Sequence, residues 1–143
     1  MVVKGFGPTP AKLMFIGERP GATEIKESKP FVGRAGKFLT NELEKFGINR
    51  NEIYITNVVK SYAEGNKPPT EEEIKKFLPS LEKEIAEVKP EIIVLLGKTA
   101  SKSVPIKPPH TYIELPHPSA AMRFTKQREK FEFGMRELKK LIA

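Results

Sequence analysis

With 143 residues the chain has room for one compact domain and a sizeable core, so a single domain spanning 1–143 with a single site is expected. Lys and Arg number 25 against 18 Asp and Glu, and the net charge of +7 favours acidic partners such as nucleic acid, a solvated basic surface being the plainer reading. The absence of cysteine excludes disulfides, thiolate metal ligands and a cysteine nucleophile, and two imidazoles, His110 and His117, are too few for a zinc site.

The first predicted strand covers 12–17, KLMFIG. Ala35, Phe38, Leu39, Leu43 and Phe46 then recur at helical spacing and stop at Gly47, a natural helix terminator. A second strand reads IYITNVV (53–59). The next helix places Ile74, Phe77, Leu78, Leu81, Ile85 and Val88 on one face, and Thr70 with Glu73 forms a capping-box signature at its start. EIIVLLG (91–97) is continuously apolar, as a central parallel strand covered on both faces should be, and TYIELP (111–116) is the fourth strand. A final helix is expected to turn Phe124, Phe131, Met135, Leu138 and Ile142 towards the core.

This alternation predicts a three-layer α/β/α sandwich around a short, mostly parallel four-stranded sheet. Ligands in such sheets bind beyond the carboxyl ends of the strands, which selects the loops 17–34, 57–70, 97–110 and 116–124. No stretch has the length and apolarity of a signal peptide or a membrane span, so a soluble, cytoplasmic monomer is expected. Abundant Lys and Glu with a single Gln suit a thermophile.

Two glycine motifs are set aside. GKTAS (97–101) lacks the glycine that a phosphate loop needs five residues earlier, where Ile92 stands, and GFGPTP precedes the first strand and has Pro10 in place of a third glycine. The loop GERPGATEIKESKPFVGRAGKFL (17–39) is richer. Gly17, Pro20 and Gly21 allow tight turning and close approach to a ligand. Phe38 belongs to a helical core face, whereas Phe31 either plugs the sheet end or offers a flat face to a base, and is expected outside the core. Asn57 interrupts an apolar strand near its carboxyl end, where it is either satisfied by backbone or reads the edge of a ring. HPSAAMR (117–123) brings His117, Ser119 and Arg123 to the same rim, with Ser119 also suited to cap the final helix.

These three segments, in this order, resemble the signature regions of the uracil-DNA glycosylase superfamily, most closely its iron-sulfur branch (family 4), whose first region reads GEAPG followed by PFVG-x-AG. The resemblance runs from about residue 5 to the end. It implies a flipped nucleotide, DNA containing uracil in single or double strands as partner, and hydrolysis of the N-glycosidic bond. It further implies that Phe31 stacks on the base, Asn57 pairs with its edge and His117 faces O2 of the leaving base. Glu18 would position water or stabilise charge on the sugar, while Ser119 and Arg123 would meet DNA.

That branch holds its cluster with four cysteines, two of them upstream of the first strand. Ser61 and Phe77 occupy the other two positions here, so a cofactor-free enzyme with no metal is expected, packing having replaced the cluster. Arg19 stands where relatives carry a small residue. It would either bind phosphate or neutralise Glu18. The rivals to uracil excision are a DNA-binding homologue without catalysis and a glycosylase for another deaminated base such as hypoxanthine.

Overall fold

The computed structural model describes residues 2–142. Four parallel strands, β1 (Leu13–Gly17), β2 (Tyr54–Asn57), β3 (Ile92–Leu96) and β4 (Thr111–Leu115), lie in the order β2-β1-β3-β4. The order in which the parallel strands are added reverses between β1 and β3, so the loops leaving these central strands diverge and open a crevice at their carboxyl ends.

Strand alternation sorts the core into two layers. Leu13 and Phe15 of β1 with Ile92, Val94 and Leu96 of β3 face α2 (Arg34–Lys45) and α6 (Thr125–Ile142), packing on Leu39, Leu43, Phe131, Met135 and Leu138. Met14, Ile16, Ile93 and Leu95 face the other way, onto α3 (Glu71–Val88) and α4 (Lys98–Ser103), where Leu81, Val88, Ala100 and Val104 meet them. The expected three-layer sandwich follows. α3 begins as read, Thr70 Oγ1 accepting from Glu73 N at 3.1 Å while the Glu73 carboxylate accepts from Thr70 N at 3.0 Å.

Three six-residue helices have no apolar stripe to announce them: α1 (Ala22–Glu27), none of whose residues is buried, α4, and α5 (Pro118–Arg123). The last of these corrects the reading of the C-terminal helix. Phe124 adopts extended backbone between α5 and α6, which rotates it out of phase with Phe131, and it is 59% exposed instead of facing the core. The residues ahead of β1 run antiparallel along the outer edge of β2, with bridges Val2–Ser61 and Phe6–Ile55, and so cover an otherwise open strand edge. Among the described residues no helix is long and apolar enough to cross a membrane.

Candidate active site

A cleft of about 530 Å³ opens at the carboxyl ends of the strands and is lined by Glu18, Gly21, Phe31, Asn57, His117, Ser119 and Arg123 among others. The topology thus brings together the expected residues from three separate loops. Gly17 and Asn57 are ladder partners, and a Cβ added at Gly17 would come 2.4 Å from the Phe31 ring and 2.7 Å from Asn57 Oδ1. Only glycine allows the ring and the amide to close on the strand end.

Phe31 departs from expectation. It is only 5% exposed and belongs to the core layer, yet its ring edges into the cleft, 5.8 Å from the His117 ring at a tilt of 32°. Its φ of +53° is costly for a bulky side chain and persists because the surroundings hold it. Arg50 donates to Pro30 O at 2.8 Å and Thr40 Oγ1 at 2.7 Å, and Glu24 accepts from the amides of Gly21, Val32 and Gly33 at 2.7–2.9 Å. Neither residue stands out in the sequence by pattern. Glu24 is legible there only as one of three acids, with Glu18 and Glu27, within the glycine-rich loop.

Asn57 is buried at the end of β2, and its Oδ1 has no hydrogen-bond partner. His117 is the N-cap of α5: its Nδ1 accepts from Ser119 N at 3.1 Å and lies 2.8 Å from Ser119 Oγ. These bonds assign the ring proton to Nε2. Desolvation lowers the pKa of His117 below its ordinary 6.5, against the opposing pull of Glu18 and Glu24, and the imidazole is neutral at neutral pH. The N-cap is therefore His117 and not Ser119, whose hydroxyl is committed to holding the imidazole and not to an outside partner. Glu18 is half-buried, and its Oε2 accepts from Thr99 Oγ1 at 2.6 Å. Thr99 lies in the GKTAS stretch that fails as a phosphate loop; its use is to fix this carboxylate. Arg123 is exposed on the rim, as is Arg34, which no sequence motif marks.

Arg19 corrects both readings of it. Its side chain is 4% exposed and turns away from Glu18, donating to Ser61 O at 3.0 Å, Lys67 O at 3.1 Å and Glu73 Oε2 at 2.7 Å. With its donors so engaged it has none for a DNA phosphate. Ser61 Oγ lies 3.4 Å from the same guanidinium, and Phe77 packs half-buried against the α3-side core. A hydroxyl and a phenyl ring are not iron ligands, so Ser61 and Phe77 do not fit a cluster.

The strand ends of this parallel sheet thus bring together a desolvated amide, an aromatic wall, a neutral imidazole donor and a carboxylate fixed by a threonine. Residues 4–139 match the model of the uracil DNA glycosylase superfamily, and the chain belongs to that family. It is 44% identical over 103 residues to a type-4 uracil-DNA glycosylase of Sulfurisphaera tokodaii, covering 71% of this chain and 47% of that protein. Proteins of the same name from Archaeoglobus fulgidus (40% over 102 residues; 71% and 51% covered) and Saccharolobus solfataricus (45% over 97; 67% and 45%) are also similar. The matches span about half the length of these curated relatives.

Proposed function

We propose that the chain, acting as one unit, removes uracil from DNA by hydrolysing the N-glycosidic bond of an extruded nucleotide, without an iron-sulfur cluster. The names of its relatives support the class of reaction, and Asn57 carries the reading: a buried, unpartnered amide oxygen facing the cleft. Leaving such an acceptor unpaired costs about 1–3 kcal/mol, and a ligand N–H recovers it. Uracil offers N3–H to Oδ1 and O4 to the amide N–H, whereas cytosine reverses both partners.

In this reading Phe31 forms the wall against which the base rests. As the C1′–N1 bond breaks, its electron pair stays on the base, and the Nε2–H of His117 stabilises the charge arising at O2 without giving up its proton. Glu18, held by Thr99, stabilises the cationic sugar and orients the water whose oxygen bonds C1′, taking up the released proton. Arg34 and Arg123 contact phosphates at the rim. An unpaired or mismatched uracil is the easiest to extrude. The bonds from Arg19 tie the loops after β1 and β2 to α3.

Asn57→Asp tests the carrying observation. It removes the donor to O4 and places negative charge beside a leaving anion, so single-turnover release of uracil is expected to fall about tenfold or more. An unchanged rate in the folded variant would make Asn57 a structural residue and remove the basis for uracil recognition.

A further inference from the structure

Behind β2, on the face away from the cleft, lies a buried ion pair that the proposed chemistry does not use. Lys60 Nζ stands 2.6 Å from Glu84 Oε1, with side chains 5% and 14% exposed. The other carboxylate oxygen accepts from Tyr54 OH at 2.7 Å and Thr56 Oγ1 at 2.9 Å. Lys60 Nζ also donates to the main-chain carbonyl of Asn57. The N-terminal segment closes over this network. Gly5 passes so near that an added Cβ would fall 2.3 Å from Glu84 Oε2 and 2.4 Å from Tyr54 OH, and Val3 N donates to Lys60 O at 2.8 Å.

Two buried charges are a costly way to secure a strand, since an apolar pair of similar volume commonly serves stability as well or better. Their placement suggests another use. The pleat turns Tyr54 and Thr56 towards α3 and Ile55 into the opposite core layer, with Asn57 on that same side at the cleft, so Glu84 grips β2 from the back at two residues while Lys60 fixes the peptide that follows Asn57. β2 is a four-residue strand paired with β1 on one side and bridged at Ile55 by Phe6 on the other. The Asn57 carbonyl lies beyond that bridge, where Lys60 donates to it.

We propose that Lys60, with Glu84, is a positioning residue that aims the Asn57 amide at the base, an inference that rests on the uracil reading only for its effect on rate. A site of this kind has to hold its polar groups to about 0.5 Å, and a displacement of about 1 Å costs on the order of a hundredfold in rate. Burial lowers the pKa of Lys60 below its ordinary value in spite of the opposing pull of Glu84.

The experiment compares the parent with Lys60→Met/Glu84→Gln, which removes both charges, and with the isosteric Glu84→Gln in case the double variant does not fold. Two readouts are taken: the side-chain amide NMR resonances of Asn57, assigned by their loss in Asn57→Asp, and single-turnover excision beside affinity for uracil-containing DNA. In a folded variant the Asn57 resonances should shift or broaden while those of Asn41 and Asn51 stay, and excision should slow about tenfold or more with DNA affinity within about twofold. Unmoved Asn57 resonances, or a parental rate, overturn the proposal. If the parent itself excises nothing, the uracil reading fails alone, and the resonances still decide whether Lys60 positions Asn57.

Discussion

His117→Ala is expected to slow single-turnover uracil release by a hundredfold or more, the equivalent of the ~3 kcal/mol that one preorganised donor to a developing oxyanion supplies. Affinity for uracil-containing DNA should change far less, since phosphate contacts dominate binding. The ring is held ready to donate, because Ser119 N–H occupies Nδ1 and leaves the proton on Nε2. The same geometry sets the pH dependence. Protonating Nδ1 would set two donors against each other and release the ring. Because burial lowers the pKa of His117, the charged form accumulates only below its ordinary 6.5. The parent rate should therefore stay level from about pH 8 to 6.5 and fall only below that. His117→Ala should lack that acid limb. A variant with full chemical rate, or one that is slow only because it no longer binds or folds, would take His117 out of the mechanism.

Arg19→Ala is expected to be strongly destabilising, although Arg19 takes no part in the proposed chemistry. It strips hydrogen bonds from the carbonyls of Ser61 and Lys67 and unties the loops after β1 and β2 from α3. Orphaning partly buried acceptors of this kind costs about 2 kcal/mol. For a chain of this size the midpoint of thermal unfolding should drop by roughly 5–10 °C. The sign of its pH dependence follows from Glu73, whose pKa is lowered below 4.5 by the hydrogen bond from Arg19 and the capping bond from Thr70. A group depressed in the folded chain contributes in full above its unfolded pKa and less as pH falls through the folded one. The gap between parent and variant should accordingly be full at neutral pH and narrow below about pH 4.5. Arg19→Lys should recover only part of the loss, because a single ammonium cannot reach all three acceptors in a fixed plane. Equal melting of Arg19→Ala and the parent would show that the bonds do not hold the loops.

What the sequence disclosed was whatever is local. Four strands, the capping box at Thr70 and the helical stripe from Ala35 to Phe46 follow from patterns a few residues long, and the position of Asn57 and His117 at strand ends follows from the sheet rule once the strands are placed. Arg19 is illegible in the sequence because its partners lie 42 to 54 residues away, and no local pattern distinguishes a guanidinium facing DNA from one facing Ser61 and Glu73. Phe124 leaves the core because one extended residue between α5 and α6 resets the phase, although the helical period of the sequence runs smoothly through it. Phe31 is both buried and in the cleft, through a left-handed backbone that composition does not reveal. Lys60 escapes notice because an exposed lysine after a strand is ordinary; a buried one becomes visible only when α3 brings Glu84 across.

Excision of uracil by the side chains of this chain alone, as proposed above, is open to a direct assay. The measurement incubates the chain, in excess chelator, with otherwise identical oligonucleotides carrying one uracil, hypoxanthine or thymine, and counts abasic sites under single-turnover conditions. Abasic sites are expected at uracil alone, at the same rate with and without chelator. Release of hypoxanthine in preference to uracil, a requirement for added iron, or DNA bound with no base released would each contradict the proposal.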